Sequence, residues 1–355
     1  MSRKVYCGDV AIGGGSPISI QSMTNVDTRD TDALVRQINE LADAGCQIVR
    51  CAIPDMQAAE SFGRAKKMTN VPLVADIHFD HRLALAAMEN GADKIRINPG
   101  NIGSVERVKA VVDMAKERNI PIRVGVNSGS LQKDLIEKYG GVTADALAES
   151  GANMLKYIED LGYDKLVVSI KSSNVKINYD AHLRLKELTD APIHIGITES
   201  GTPKNGELKS AVGIGSLLLA GIGDTMRVSL TDDPVKEVIF ARKILETVGL
   251  REKAIDIVSC PTCGRTEIDL IGLANEAEER LAPIAVKRAK EGRRPLKIAV
   301  MGCAVNGPGE SREADYGIAG GRGEGLVFSH GEILEKVPEK VLIERLIELV
   351  DNDQN

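Results

Sequence analysis

From Ser16 to Gly249 the chain repeats one unit: a short apolar run of strand length, then an amphipathic stretch of helical period. Eight such runs can be counted: PISIQSMTN from Pro17, CQIVRCAIP from Cys46, VPLVADIHF from Val71, KIRINPG from Lys94, PIRVGVNSG from Pro121, KLVVSIKSS from Lys165, PIHIGITES from Pro192 and DTMRVSLT from Asp224. Near-continuous apolar strands separated by helices require a parallel sheet covered by those helices. Eight units over about 230 residues predict a (β/α)8 TIM-like barrel, a fold of typically roughly 250 residues, rather than an open doubly wound sheet. Asp30, Thr31 and Asp32 mark the start of the first helix. Gly45, Gly91, Gly151 and Gly249 follow helical runs and are predicted to be left-handed C-caps.

After Leu250 the rhythm changes. Strand-like IDIVSC, a charged helix from Thr266 to Lys290, strand-like LKIAVMGC, the Gly-flanked runs ADYGIAGG and GLVFSHG, and a last helix from Glu339 to Val350 predict a small α+β domain of mostly antiparallel strands. The boundary falls between Leu250 and Ala254, giving domains 1–250 and 251–355. An apolar fraction of 43% and a charged fraction of 27% exclude a disordered chain. The net charge of −6 and the 3% of aromatic residues, without Trp, argue against wrapping or stacking nucleic acid. The N-terminus has no apolar core of signal-peptide length, and IGSLLLAGIG from Ile214 is too short to span a bilayer, so a cytoplasmic location is expected. In that compartment the six cysteines are ligands or core residues, not a disulfide frame.

Barrels of this kind place their chemistry at the C-terminal ends of the strands. Those ends are polar here: Gln21 and Asn25, Arg50, Asp76 and His78, Arg96 and Asn98, Arg123 and Asn127, Ser169 and Lys171, Glu199, Arg227 and Ser229. Five cations, Arg50, Arg96, Arg123, Lys171 and Arg227, lie within strands, where a charge is costly unless paired or facing a ligand. Cations converging from separate strands suit a diphosphate. The competing reading pairs each with a barrel carboxylate such as Asp76, Asp93 or Glu199. Glu199, in GITESG, is either a general acid or base or the counter-ion of the cationic cluster. Asp76 and His78 share one side of a strand, His78 as proton shuttle or structural residue. The triplet Gly13–Gly15 lacks the strand-before, helix-after context of a phosphate loop and reads as a turn.

The second domain carries CPTCGR and MGCAVNGPGE, which present Cys260, Cys263 and Cys303 after two strands. The bare spacing is compatible with an iron-sulfur cluster on three thiolates, with Glu310 closing the loop. It also suits a zinc site with His330 as fourth ligand, or a dithiol pair at Cys260 and Cys263. Cys7, Cys46 and Cys51 read as core or strand-end residues.

Taken in order, GGGSPISIQSMTN, KIRINPGNIG, PIRVGVNSGSL, GITESG, GDTMRVSLT, CPTCGR and MGCAVNGPGE span nearly the whole chain. Together they resemble the bacterial 4-hydroxy-3-methylbut-2-en-1-yl diphosphate synthase family. Barrels of the dihydropteroate-synthase type are similar to the first domain but have no need of the last two motifs. The resemblance implies an iron-sulfur oxidoreductase of isoprenoid precursor synthesis. It would open 2-C-methyl-D-erythritol 2,4-cyclodiphosphate reductively, losing a hydroxyl as water, with flavodoxin or ferredoxin as electron donor. By motif position it implies a 4Fe-4S cluster on Cys260, Cys263, Cys303 and Glu310, with Glu310 displaced by substrate. It implies substrate contacts at Arg50, Asp76, Arg96, Asn98, Arg123, Asn127, Lys171, Arg227 and Ser229, and a barrel acid at Glu199. The chain is too short for the central domain of plant-type members and resembles the compact two-domain form. A last helix ending at the bottom of the barrel and a short linker lead to the expectation of a homodimer. In it, one chain's barrel is completed by the other's cluster domain.

Overall fold

A computed structural model describes residues 1–303, 309 and 311–353. The chain forms two compact units, Met1–Leu250 and Arg251–Asn355.

The first unit opens with an antiparallel hairpin, β1 (Val5–Cys7) and β2 (Val10–Ile12). Eight parallel strands follow: β3 (Ser19–Met23), β4 (Ile48–Ala52), β5 (Leu73–Asp76), β6 (Lys94–Ile97), β7 (Ile122–Asn127), β8 (Leu166–Lys171), β9 (His194–Ile195) and β10 (Thr225–Met226). They run in the order β8-β7-β6-β5-β4-β3-β10-β9. A parallel bridge from Val168 to Ile193, with Val168 N–H donating to Pro192 O at 2.9 Å, joins the two ends of that order. The eight predicted strands are therefore the eight strands of a TIM-like barrel. Helices α1 (Thr31–Asp43), α2 (Met56–Met68), α3 (His81–Glu89), α4 (Pro99–Ile102), α5 (Val105–Arg118), α6 (Lys133–Tyr139), α7 (Ala144–Asp160), α8 (Val175–Leu188), α9 (Pro203–Leu219) and α10 (Pro234–Thr247) fill the connections. Apolar residues on the outer strand faces and the inner helix faces make one continuous core.

Local signals act as expected at most helix ends. Asp30 caps α1 by accepting from Ala33 N–H, and Gly45, Gly91 and Gly249 have positive φ. Gly151 does not: it lies inside α7, where a Cβ would stand 3.4 Å from Leu185 Cδ1 and 3.5 Å from Val168 Cγ2. It lets α7 pack closely on α8 and β8 rather than ending a helix. Gly13, Gly14 and Gly15 all have positive φ and form the turn that leads from the hairpin to β3. The hairpin escaped the sequence analysis because three-residue strands give no period to count. Its Cys7 and Ile12 pack on Ile48 and Val74, closing the N-terminal end of the barrel.

The second unit is a five-stranded sheet, β11 (Ile255–Ser259), β12 (Leu296–Met301), β13 (Tyr316–Gly320), β14 (Glu324–Ser329) and β15 (Glu332–Pro338), in sequential order. Helices α11 (Leu270–Lys290) and α12 (Leu342–Asn352) pack on it. The first three strands are parallel and only β13-β14 and β14-β15 are antiparallel, which corrects the expectation of a mostly antiparallel sheet. The reason is α11: a 21-residue helix between β11 and β12 is a crossover connection, and crossovers return parallel strands. Among the described residues no helix is long and apolar enough to cross a membrane.

Candidate active site

Strand register decides which side chains enter the barrel. Paired residues share a side of the sheet, and residues two apart on one strand do too. Met23 pairs with Arg50, Ala52 with Asp76, Asp76 with Arg96, Arg96 with Arg123, and Asn127 with Lys171. Arg50, Asp76, Arg96, Asn98, Arg123 and Lys171 are all buried, and Arg227, Asn127 and Ser229 half-buried. The strands thus gather on the barrel interior the cations that the sequence places there.

Their pairing is uneven. Asp76 takes two of them, with Arg96 Nη1 at 3.2 Å and Arg50 Nε at 3.9 Å, and His78 Nε2 lies 3.6 Å away. Burial alone would raise the Asp76 carboxyl, but Arg50, the His78 ring and Arg96 outweigh it and hold the group well below the usual carboxylate range. Arg227 is taken by Glu237, Nη2 to Oε2 at 3.2 Å. Glu237 is a buried carboxylate in the first turn of α10 that also accepts from Leu230 N–H at 2.9 Å. Sequence reasoning missed it, because an acidic residue in a first helical turn ordinarily faces water. Arg123 and Lys171 have no ion-pair partner among the described residues. Burial first, then the neighbouring arginines, pushes both well below their ordinary values. Pairing with barrel carboxylates therefore accounts for three of the five cations and fails for two. Asp93 is spent elsewhere, on Lys66 at 2.6 Å.

Glu199 follows β9 with φ of 52°, a left-handed conformation costly for a residue with a Cβ. Its side chain is exposed and makes no ion pair with any described residue, so it is not the counter-ion of the cluster in this structure. Beside it, Ser200 Oγ donates to Ser229 O, tying the two strand ends together. Asn98 caps α4 through Oδ1, accepting from Gly100 N–H at 3.1 Å, which leaves its amide nitrogen uncommitted. Gly125 supplies room: a Cβ there would stand 2.7 Å from Arg96 Nε and Nη2. Asn25 is a loop clamp, accepting from Gln37 Nε2 at 2.6 Å.

In the second unit β11 and β12 are adjacent and parallel, with Ser259 opposite Val300, so Cys260 and Cys303 leave the same edge of the sheet. Gly302 N–H donates to Cys260 Sγ at 3.3 Å. Cys263, on the exposed loop between them, has its thiol lowered by hydrogen bonds from Arg265, the backbone one leading. His330 stands at the opposite edge, its N–H bonded to Ala314 O and its ring 3.9 Å from Asp315, so it is not brought to the cysteines. Among the described residues no three metal-binding side chains are gathered at ligand distances. Glu310 lies outside the described residues. Cys7, Cys46 and Cys51 are buried, and burial pushes their thiols up to about 11, 12 and 12, consistent with core residues.

Comparison with known proteins places this geometry. Residues 2–242 match the family described as the GcpE TIM-barrel domain, and residues 256–352 the GcpE protein C-terminal domain. The chain belongs to the GcpE family. Relatives named 4-hydroxy-3-methylbut-2-en-1-yl diphosphate synthase (flavodoxin) are 55% identical in Clostridium perfringens, over 99% of this chain and 98% of the relative. In Fusobacterium nucleatum the figures are 54%, 99% and 97%. The solved dihydropteroate synthase of Yersinia pestis covers 70% of this chain and 99% of its own, with a TM-score of 0.51 and 14% identity, a likeness of fold alone.

Proposed function

We propose that this GcpE-family chain is a cytoplasmic iron-sulfur oxidoreductase that opens 2-C-methyl-D-erythritol 2,4-cyclodiphosphate to 4-hydroxy-3-methylbut-2-enyl diphosphate, with reduced flavodoxin or ferredoxin as electron donor. Two electrons enter, the bond from carbon to a ring phosphate oxygen breaks, and a hydroxyl leaves as water. The observation that carries the reading is the pair Arg123 and Lys171, buried cations with no ion-pair partner among the described residues, in a barrel interior that also holds Arg50, Arg96 and Arg227. A diphosphate supplies the missing charge, and arginine meets phosphate oxygens bidentately. Asn98, Asn127 and Ser229 complete the polar rim. Asp76 fixes Arg50 and Arg96 in place at the substrate pocket. Glu199, which makes no ion pair among the described residues, would give the leaving hydroxyl its proton.

The donor set suits a soft metal core. Three cysteines leave two neighbouring strand ends, one sulfur already accepts a backbone N–H, and the exposed thiol is shifted toward thiolate. Cys260, Cys263, Cys303 and Glu310 would hold a 4Fe-4S cluster, Glu310 as its carboxylate ligand. When bound, such a cluster supplies single-electron transfer and a Lewis-acidic iron.

The active site is proposed to be shared in a homodimer. Helix α10 runs antiparallel to the barrel strands and so ends on the side away from the mouth, and only residues 251–254 separate the first unit from β11. A chain of that length does not travel the height of the barrel wall, roughly 20 Å at about 3.3 Å per residue plus loops. Co-expressed Glu199→Gln and Cys263→Ser chains should then regain activity as mixed dimers with one intact site, whereas inactive mixed dimers would place the site within one chain. The function itself is tested by anaerobic incubation of the iron-loaded protein with the cyclic diphosphate and reduced flavodoxin. Absence of 4-hydroxy-3-methylbut-2-enyl diphosphate overturns it.

A further inference from the structure

Beneath the mouth the barrel interior is polar, where barrels of this kind are filled by branched apolar side chains. Gln21, Lys94, Arg123 and His194 are at most 1% exposed. Both amide atoms of Gln21, Lys94 Nζ, all three guanidinium nitrogens of Arg123 and His194 Nε2 lack a hydrogen-bond partner among the described residues. Lys94 precedes Arg96 by two residues on β6, so it enters the barrel from the same face, about 6.6 Å nearer the closed end. His194 stands opposite Thr225, whose Oγ1 lies 3.4 Å from Nδ1. With the Thr225 hydroxyl donating to Nδ1, the ring presents an Nε2–H to the interior.

Among the described residues these cations have no carboxylate partner inside the barrel. Asp76 is committed to Arg50 and Arg96, Glu237 to Arg227, and Asp93, beside Lys94 in sequence, turns outward to Lys66. Two buried carboxylates face five buried cations and half-buried Arg227, so a dianion at the mouth still leaves an excess of positive charge. Buried unpaired donors of this density are satisfied by water or by an ion, and only an anion also offsets the charge.

We propose that Lys94 and His194, below the substrate-facing Arg123, form a second anion site that takes a halide-sized inorganic anion. The hairpin residues Cys7 and Ile12 pack on Ile48 and Val74 below the site, so the anion would enter through the mouth. Burial, followed among the repulsive neighbours by Arg123 and Arg50, pushes Lys94 down to about 8. A bound anion would hold that ammonium charged. This goes beyond the proposed reaction and does not depend on it.

The probe is bromide, on the iron-loaded enzyme without substrate. Crystals soaked in sodium bromide should show an anomalous peak within hydrogen-bonding reach of Lys94 Nζ and His194 Nε2. In Lys94→Met that peak should vanish while any peak at Arg50 and Lys171 persists. In solution, replacing methanesulfonate by bromide at constant ionic strength should raise the melting temperature saturably, by about 3 °C at tenfold saturation, and Lys94→Met should lose the rise. His194→Phe, which keeps a ring but removes the donor, should weaken the bromide midpoint about tenfold and serves if Lys94→Met does not fold. Water without anomalous signal at Lys94 overturns the proposal, as does a bromide response equal in wild type and the folded variant.

Discussion

At the barrel mouth Arg50, Asp76, Arg96, Arg123 and Lys171 are each at most 9% exposed and are set by strand register, whereas Cys260, Cys263 and Cys303 leave strand ends on loops and Cys263 is exposed. The mouth is assembled by the chain alone, because a strand cannot change which side a residue faces without slipping. The cysteines are brought only to the same sheet edge. In that region the proposed cluster would itself complete the geometry, as is common where metal binding and local ordering are coupled. Binding of the diphosphate and loading of the cluster should therefore fail independently.

The largest effect tests that independence. Cys263→Ser replaces a soft thiolate by a hard hydroxyl and should abolish cluster retention and all turnover, while the barrel, with its own core, melts as before and still binds the cyclic diphosphate. Iron and sulfide analysis beside calorimetric titration checks it. Full iron content would remove Cys263 from the ligand set, and lost substrate binding would show the two regions to be coupled.

Glu199→Gln should follow, with kcat down by about 10²- to 10⁴-fold and both cluster content and substrate affinity retained. The amide keeps the shape but carries no proton to give. Because the Glu199 side chain pairs with no described cation, a change in affinity rather than in kcat would return it to a counter-ion role.

Much of this is legible in the sequence. The eight barrel strands are apolar runs bounded by Pro, Gly and polar turns, and alternation along each then tells which side chains share a face. Lys94 is also within reach of the sequence: period two from Arg96 puts it on the inner face of β6. His194 is inconspicuous within the apolar run PIHIGITES. Glu237 depends on how α10 is rotated against β10 and β3, which helical propensity does not determine. Strand β15, EILEKVP, has both faces largely exposed and so carried no burial pattern to read. The parallel pairing in the second unit follows from a crossover helix that the sequence displayed, but the Gly-flanked runs beside it suggested hairpins throughout.

Asp76→Asn sharpens the account of the mouth. Removing one partner from a buried ionic cluster leaves Arg50 and Arg96 unmatched and should cost about 3–5 kcal/mol in barrel stability. The folded carboxyl lies below its unfolded value of about 3.9, so its stabilisation is fully present above that pH and is lost as the pH falls through it toward the folded value. Denaturant unfolding from pH 7 down to pH 3 should show wild type losing stability and Asp76→Asn losing markedly less. Parallel acid limbs would mean that Asp76 is not the linked group.

The smallest change concerns a single missing methyl. At Gly125 a Cβ would meet Arg96 Nε and Nη2 at 2.7 Å and Cζ at 3.1 Å, so Gly125→Ala must displace that guanidinium, while Gly129, with nothing within 4 Å, accepts a methyl freely. Arg96 is long and its far end can shift, so the barrel should lose no more than about 1–2 kcal/mol. The shift moves the charge that an incoming phosphate would meet, and a displacement near 1 Å in a bidentate contact weakens binding more than it disturbs folding. Gly125→Ala should therefore raise KM for the cyclic diphosphate about tenfold with kcat and iron content close to wild type, and Gly129→Ala should change neither. If both variants behave alike, Arg96 is not held in the place where substrate needs it, and the claim that strand register alone preorganises the mouth fails at that position.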